Sequence, residues 1–321
     1  MAPLAFGKSV FTKAAAGAAG GAEHGFITGQ HGDPNNSAVG FVATRVRGLG
    51  NEAVMSGSVW FRALIGDFAG SDREFGFIIG GTGNNDPNRV FELVLNRKGD
   101  GDGDQDDHSI VLGVKYTNGT RSVTSFKSGS DFFTSNSDFD SKVLDGKWHN
   151  ISFVFSGTNT ERQLLLDGVD INNGRTDGPG DSVTGHVVMG ENNYSGTNPP
   201  AQSADDGMVF YHSMQQGIPG GFGAAFDIGP FWFYNQIIDF SNASTLAQYY
   251  NSSNTDGYVT AGSDGESGGA AEAELFITTD GSTISNGGSL SSSTMHEVGT
   301  VTKSNSTDGP GSGATRTTAN T

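Results

Sequence analysis

The chain has 321 residues, and its 50 glycines and 22 phenylalanines predict many tight turns around a core large enough for a β domain. Its 35 aspartates and glutamates outnumber its 18 lysines and arginines, which leaves a formal net charge of −17. Phosphate recognition needs clustered basic side chains, so this balance excludes nucleic acid and an anionic membrane as expected partners and favours a divalent cation or a neutral glycan.

The first 25 residues form an arm rich in alanine and glycine that has little to bury. Residues 14–22 are too weakly apolar for the core of a signal peptide, and no run is long enough for a membrane span. The sequence also lacks cysteine, which excludes disulfides and thiolate metal sites and favours a bacterial or viral protein. We therefore expect a protein that is made in a cytoplasm and is not exported by the standard route.

Residues 26–260 hold nearly all of the aromatic side chains and a succession of strand signals bounded by turn residues. The strand signals lie at residues 57–65, 74–80, 89–96, 109–116, 147–156, 162–168, 186–190, 208–212 and 226–235. In residues 89–96, Phe91, Leu93 and Leu95 alternate with other side chains, so this strand has one strongly apolar face.

Only residues 244–250 have a helical pattern, with Ser241, Asn242 or Ser244 available as the N-cap. Many short strands and one short helix over about 230 residues are typical of a large antiparallel sandwich. The sequence therefore predicts an all-β fold, an antiparallel β-sandwich or jelly roll with irregular extensions at both ends.

From residue 261 onward the sequence becomes rich in glycine, serine and threonine. Two strands are predicted in this extension, at residues 273–278 and 295–301, and the last dozen residues have the composition of a flexible tail. The predicted organisation is thus an arm at residues 1–25, a sandwich at residues 26–260 and an extension at residues 261–321.

The most specific stretch is residues 144–171, LDGKWHNISFVFSGTNTERQLLLDGVDI, which indicates a turn, a strand, a polar hairpin, a second strand and an Asp-Gly turn. The first strand has two faces, one with Trp148, Asn150, Ser152 and Val154 and the other with His149, Ile151, Phe153 and Phe155. This stretch resembles the laminin G-like and concanavalin A-like lectin-glucanase jelly-roll superfamily, in which a Gly-x-Trp-His strand is followed by a strand that ends in an Asp-Gly turn.

A second match to the same superfamily is residues 227–251, DIGPFWFYNQIIDFSNASTLAQYYN. It resembles the closing strand of the family, where an aromatic-Tyr-Asn segment leads into a short helix. The resemblance implies a sandwich in which Trp148, His149 and Trp232 pack and form hydrogen bonds. It also implies recognition of glycans or proteins through rim loops, with calcium in some members.

The acidic stretch GDGDGDQDDHS, residues 99–109, lies between two predicted neighbouring strands and is expected to form a hairpin tip. It departs from an EF-hand loop because Gln105 and Val111 stand where that loop needs a glycine and a bidentate glutamate. Two interpretations remain open, a solvated turn and a calcium site. The candidate calcium ligands are Asp100, Asp102, Asp104 and Asp106.

Two further predicted loops, residues 190–200 and 215–222, carry candidate glycan-binding side chains. Tyr194 or Phe222 could stack on a sugar ring, while Asn192 and Asn193 form hydrogen bonds with its hydroxyl groups. The alternative interpretation is that these are turn residues with one anchoring aromatic side chain.

Catalysis is not expected. The paired-carboxylate strand of the jelly-roll glucanases is absent, and so are the Gly-x-Ser-x-Gly and His-Glu-x-x-His motifs. The nearest carboxylate pairs are Glu272 with Glu274 and Asp205 with Asp206, and the seven histidines are scattered without paired spacing.

Three functions remain for a lectin-like sandwich of this composition. The preferred one is a non-enzymatic structural or interaction protein of a bacteriophage virion, as a surface decoration, appendage or fibre component. Such a protein would contact other virion proteins or itself and adhere to host glycans. The alternatives are a cellular or extracellular carbohydrate-binding lectin module and, less favoured, a glycan-degrading enzyme.

Overall fold

The structure is a computed structural model, and it describes residues 24–28, 41–45, 54–68, 74–81, 91–98, 108–117, 121–127, 132–156, 162–171, 186–187, 207–210, 225–260, 273–289, 295–298 and 302–320. These residues form two antiparallel sheets. The antiparallel β-sandwich that the sequence predicts is therefore confirmed.

The front sheet has nine strands in the described residues. They are β1 Phe26–Thr28, β3 Val54–Leu64, β8 Asp145–Ser156, β9 Gln163–Leu166, β10 Val169–Asp170, β13 Asp227–Tyr234, β14 Leu275–Thr279, β15 Ile284–Asn286 and β17 Thr302–Ser304. Their order is β10-β9-β8-β3-β13-β1-β17, and β14 pairs with the later part of β13 and with β15.

The back sheet has eight strands in the described residues. They are β2 Phe41–Arg45, β4 Glu74–Gly81, β5 Phe91–Lys98, β6 Ser109–Thr117, β7 Arg121–Lys127, β11 His186–Val187, β12 Gly207–Phe210 and β16 Met295–Val298. Their order is β11-β6-β5-β4-β12-β2-β16, and β7 also pairs with β6.

Within the described ranges, two α-helices accompany the sheets, α1 at Asn136–Val143 and a single turn, α2, at Ala243–Leu246. The predicted short helix corresponds to α2, and its N-cap is Asn242, whose side chain accepts hydrogen bonds from the backbone of Ser244 and Thr245. α1 was not predicted, although Ser135 is an N-cap of the preferred type.

The main core lies between the two sheets and is built from alternating side chains. Phe61 and Phe153 point inward from the front sheet, and Leu93 and Leu112 meet them from the back sheet. Phe139 of α1 closes the core at one end. The predicted division of β8 into two faces is confirmed, because alternate residues of a strand point to opposite sides of the sheet.

A second apolar cluster covers the outer face of the front sheet. Trp60 and Trp232 project from the sheet, and Tyr249 and Tyr258 from the segment around α2 pack onto them. The Tyr249 hydroxyl donates a hydrogen bond of 2.8 Å to the Tyr234 hydroxyl. The central strands of the front sheet are consequently buried on both faces.

A row of polar side chains crosses this outer face, and we call it the polar seam. The Asn150 side-chain amide donates to the Ser58 hydroxyl at 2.9 Å, and the Ser152 hydroxyl donates to the side-chain oxygen Oδ1 of Asn150 at 2.9 Å. All three side chains are buried. Each polar group finds its partner within the seam, which is what burial of polar groups requires.

The C-terminal extension is built into both sheets. β14 and β16 occur at the two places where the sequence predicts strands, and they pair with β13 and β2. Residues 305–320, which we call the strap, dock on the front sheet. The flexible tail predicted for the last dozen residues is therefore wrong for residues 310–320. Composition alone suggested flexibility, whereas Arg316 and Asn320 reach buried carboxylates far away in the sequence.

Candidate functional site

The strand directions of the front sheet define one end of the sandwich, which we call the rim. β3 ends there at Leu64, opposite Asp145 at the start of β8. β13 begins there at Asp227, opposite Arg62. α1 leads directly into β8 at this end and packs against β3, β5 and β8.

The acidic hairpin leaves the back sheet at the rim. β5 and β6 pair antiparallel, with Asn96 opposite Ser109, as the sequence predicts. The Arg97 guanidinium forms a two-pronged ion pair with Asp140 of α1, and one of its contacts is 2.8 Å long. Arg97 lies at the base of the hairpin, where β5 ends and β6 begins, and we call this base the neck. Arg97 thus fixes the neck to the helix that closes the core.

His108 closes the neck from the other side. Its backbone has a φ of +61°, a left-handed conformation that is unusual for a residue with a side chain. Its Nδ1 atom lies 2.8 Å from the carbonyl oxygen of Arg97, so the ring bridges the two strands. The four predicted calcium ligands, Asp100, Asp102, Asp104 and Asp106, lie outside the described residues.

The four predicted glycan-binding residues, Asn192, Asn193, Tyr194 and Phe222, also lie outside the described residues. The strands that flank them are described, and their directions are informative. β11 and β12 both run toward the rim, because Val187 pairs with Tyr116 of β6 and Phe210 pairs with Ile79 of β4.

The chain beyond Phe222 resumes at the rim. The first described residue after Phe222 is Ala225, whose backbone N–H donates a hydrogen bond of 2.8 Å to the carbonyl oxygen of Asp67. Asp67 belongs to a 3-10 turn, Ile65–Asp67, that directly follows β3. The acidic hairpin and the end of the connection that carries Phe222 are therefore anchored at the rim, whereas Val187 and Phe210 themselves lie farther back in the sheet and only point toward it.

The imidazole of His149 is the most strongly constrained titratable group near the rim. Its Nδ1 atom lies 2.7 Å from an Asp167 carboxylate oxygen, and its Nε2 atom lies 3.1 Å from an Asp145 carboxylate oxygen. Burial of the ring opposes protonation, but the hydrogen bonds to Asp145 and Asp167 outweigh it and raise the pKa of His149 to about 9.

The two carboxylates are also held by the backbone around them. The second oxygen of Asp167 accepts the backbone N–H of Asn150 at 2.8 Å. Asp145 is half-buried, which raises its pKa, yet the hydrogen bonds from His149 and Lys147 bring the pKa of this carboxyl below its usual range. At neutral pH the cluster is thus an imidazolium between two carboxylates.

This cluster supports the fold. A protonated imidazole with both ring N–H groups donated can act neither as a general base nor as a metal ligand. Trp148, its neighbour, donates its indole N–H to the Asp308 carbonyl oxygen at 2.9 Å. The prediction that Trp148 and His149 are packing and hydrogen-bonding residues is confirmed.

The described part of the chain contains no group of three or more histidine, aspartate or glutamate side chains suited to hold a metal ion. Glu274, one of the carboxylates considered for catalysis, accepts the backbone N–H of Asn235 at 3.1 Å. No helix within the described ranges is long and apolar enough to span a membrane.

No protein-family model matches this sequence, and no curated protein matches it. Several solved structures are similar in fold. A native heptameric SAP-like pentraxin from Limulus polyphemus has 14% sequence identity and a TM-score of 0.41, over 83% of this chain and 96% of the pentraxin.

A Bacteroides ovatus protein named for carbohydrate binding has 10% identity and a TM-score of 0.47, over 89% of this chain and 61% of that protein. The LG4–5 domains of the mouse laminin α1 chain have 13% identity and a TM-score of 0.33, over 68% of this chain and 43% of theirs. Each of these likenesses concerns the fold alone.

Sequence reasoning missed the buried charges at the rim. Asp67 and Asp227 are almost fully buried and bind Arg62 and Arg316. The available signal was small: Arg316 is the single basic residue after Lys303, in a segment otherwise rich in glycine, serine and threonine.

Proposed function

We propose that this protein is a non-enzymatic carbohydrate-binding module that recognises glycans at the rim. One observation carries the proposal. The neck of the acidic hairpin and the chain that resumes after Phe222 meet at the rim, and β11, which precedes Asn192, Asn193 and Tyr194 in the sequence, runs in the direction of the rim. Recognition by loops at the end of a rigid sandwich is a common use of this architecture.

The side chains on these connections have the chemistry that sugars require. Tyr194 and Phe222 offer aromatic faces, and Asn192 and Asn193 offer amide groups that can donate to and accept from hydroxyl groups. The aspartates of the acidic hairpin add oxygen ligands of the kind that calcium prefers.

The remainder of the front sheet is an unsuitable place for a ligand. The central part of its inner face packs in the main core, and its outer face is covered by the α2 segment and by the strap. The His149 cluster at its rim end is committed to internal hydrogen bonds. These contacts favour a rigid support that presents the rim connections.

A glycan array tests this proposal. The full-length protein is expected to bind a defined set of glycans, and Tyr194→Ala or Phe222→Ala is expected to weaken binding about 5- to 30-fold, because one stacked ring contributes about 1–2 kcal/mol. Ile237→Ala is the matched control, since this side chain is 39% exposed and lies beyond β13 at the opposite end. Equal binding by all variants, or no glycan bound by the wild type, would contradict the proposal.

Calcium is proposed as the ion of the acidic hairpin. Millimolar calcium should raise the melting temperature of the wild type, because the ion relieves repulsion among crowded carboxylates. The double variant Asp102→Asn/Asp104→Asn should lose this rise, whereas magnesium at the same concentration should have little effect on either protein. An unchanged melting temperature of the wild type in calcium would rule out the site.

We further propose that the module works on a virion surface, where it contacts other virion proteins or copies of itself. The cysteine-free, acidic composition and the Ala/Gly-rich arm at residues 1–25 support this setting. Mass spectrometry of purified phage particles tests it directly. Absence of the protein from particles, together with retained glycan binding, would instead favour an extracellular lectin.

A further inference from the structure

The strap lies in a groove formed by the front sheet, the rim turn and the α2 segment. It follows β17 and starts with a 3-10 turn, Ser306–Asp308. From there it runs over the outer face of the front sheet and ends beside Asp67 at the rim. This path resembles that of a bound peptide more than that of a connecting loop.

The groove donates hydrogen bonds to the backbone carbonyl groups of the strap. The indole N–H of Trp148 donates to the Asp308 carbonyl oxygen at 2.9 Å. The Arg62 Nη1 atom donates to the carbonyl oxygens of Asp308 and Ala314 at 3.3 and 3.4 Å. Both donors project from neighbouring strands, β8 and β3, where Arg62 pairs with Trp148.

The groove also accepts hydrogen bonds from the backbone N–H groups of the strap. One Asp256 carboxylate oxygen accepts from Gly311 at 3.2 Å and from Gly313 at 2.9 Å. Farther along, the carbonyl oxygen of Gly146 accepts the N–H of Arg316 at 2.8 Å. The body thus binds both carbonyl and N–H groups of the strap backbone, as a peptide-binding site does.

Close contacts favour glycine at two positions of this interface. A Cβ on Gly311 would lie 2.8 Å from the Tyr258 ring, and a Cβ on Gly146 would lie 2.0 Å from the Arg316 carbonyl oxygen. Both residues also have positive φ values, +84° and +79°. The groove is therefore specific for a glycine-containing segment.

Arg316 enters the deepest part of the groove. Its guanidinium forms a bidentate ion pair with the Asp67 carboxylate, in which Nη1 donates a hydrogen bond of 2.9 Å. Its Nη2 atom also donates to the Arg62 carbonyl oxygen at 3.3 Å. Its Nε atom lies 3.3 Å from Asp227. A planar guanidinium with several donors matches this set of oxygens, and a lysine does not.

The charges of this pocket balance when a cation such as Arg316 is bound. Asp67 and Asp227 have side-chain exposures of 0% and 1%, and Arg62 is the cation that the described residues of the body supply, binding Asp227 at 2.8 Å. Burial raises the pKa of Asp67 despite its bonds to Arg316, Leu64 and Asn320. With the strap removed, the described residues leave one buried carboxylate without a cationic partner, so the pocket favours a bound cation.

We propose that this groove is a peptide-binding site that accepts residues 305–320 from a second copy of the chain as well as from its own. The contacts that hold the strap are non-covalent, and each groove residue lies outside the strap, so either chain can supply the strap that fills a groove. Exchange of an identical segment between two copies is a low-cost route to dimers. This inference is independent of glycan binding.

Two full-length variants with complementary defects test the proposal. Arg316→Ala leaves the groove intact and disables the strap, whereas Asp67→Asn disables the groove and leaves the strap intact. Each variant alone should sediment as a monomer. An equimolar mixture should form a heterodimer, because the intact strap of one chain can fill the intact groove of the other.

A labelled synthetic peptide of residues 305–320 gives a second measurement. Fluorescence anisotropy should show binding to the Arg316→Ala chain at least tenfold tighter than to the wild type, whose groove is occupied. A peptide carrying Arg316→Lys should bind at least tenfold more weakly than the native peptide. Near-ultraviolet circular dichroism establishes that each variant is folded, and Arg316→Lys in the full-length chain replaces Arg316→Ala if the latter unfolds.

Two results would overturn the proposal. The first is failure of the native peptide to bind a folded chain with a disabled strap, since the groove would then not be a peptide site. The second is a mixture that stays monomeric although the peptide binds, since exchange between copies would then be absent. Loss of glycan binding has no bearing on either result.

Discussion

At the scale of single residues, His149 shows how a family-like motif contributes to stability. The Trp-His pair directs one side chain to each face of β8, and the ring of His149 meets carboxylates from both ends of the β8–β9 hairpin. Asp167 itself has a φ of +49°, in the Asp-Gly turn that places its carboxylate beside the ring. The unfavourable left-handed backbone of Asp167 is thus accompanied by its ion pair with His149.

The free energy of unfolding should depend on pH through His149. The folded pKa of about 9 exceeds the ordinary value of 6.5, so the stabilisation is complete below pH 6.5 and is lost as pH rises through 9. The difference corresponds to about 3 kcal/mol. Urea unfolding of the wild type between pH 6 and pH 9.5 should show this loss.

His149→Gln is the matched variant for that measurement. It keeps a hydrogen-bonding side chain of similar reach but cannot carry a charge. Its free energy of unfolding should be lower than that of the wild type at pH 6 and should change much less between pH 6 and pH 9.5. Parallel pH profiles for the two proteins would assign the dependence to other groups.

At the scale of elements, α1 is the helix that closes the core at the rim. The Ser135 hydroxyl accepts the backbone N–H of Asp138 at 3.2 Å, and Asp138 accepts the backbone N–H of Thr134 at 3.0 Å. These bonds satisfy donors that the start of a helix leaves without partners. Phe139 and Val143 can then pack against both sheets.

Ser135→Ala should lower the free energy of unfolding by about 1 kcal/mol, because the helix loses its N-cap. Ser141→Ala is the control, since Ser141 lies in the same helix and its hydroxyl donates to the solvent-exposed backbone carbonyl oxygen of Asp138. That change should alter stability by less than about 0.5 kcal/mol. Equal effects of the two substitutions in chemical denaturation would contradict the assigned cap.

Much of each element was predictable from local pattern. Alternation identified β5 and β8, an apolar and aromatic run identified β13, and the polar residues before α2 included its actual cap, Asn242. α1 escaped prediction because its eight residues contain just two buried apolar side chains, Phe139 and Val143. The strap escaped because its partners are remote: Asp67 and Arg316 are 249 residues apart.

The candidate site was predictable in part. The acidic stretch could be placed between neighbouring strands from the sequence alone, and the pairing of β5 with β6 confirms that placement. The clamp formed by Arg97, His108 and Asp140 could not be foreseen, because it joins a strand end to a helix about 40 residues later.

At the scale of the whole molecule, the strap and the two sheets should unfold together. Arg316→Ala removes the arginine that binds the fully buried Asp67, and a broken buried pair costs about 3–5 kcal/mol. Arg97→Ala is the matched control, since it also breaks a forked Arg-Asp pair, but one with side-chain exposures of 14% and 28%. Its cost should be about 1 kcal/mol.

Calorimetry of both variants checks this expectation. Arg316→Ala should lower the temperature of a single cooperative transition, and the shift should exceed that of Arg97→Ala. A separate early transition for Arg316→Ala, with the main transition unchanged, would indicate that the strap opens independently of the sandwich.

The polar seam has a consequence for how the chain finds its pairing. A two-residue slip of β3 against β8 would keep every apolar side chain on its proper face, so hydrophobic burial barely distinguishes the two alignments. The seam does distinguish them: a slip that sets Ser58 opposite Val154 would leave the Asn150 amide buried without its hydrogen-bond partner Ser58. The three polar side chains thereby fix the register of β3 and β8 and destabilise a shifted register that the aromatic residues alone would tolerate.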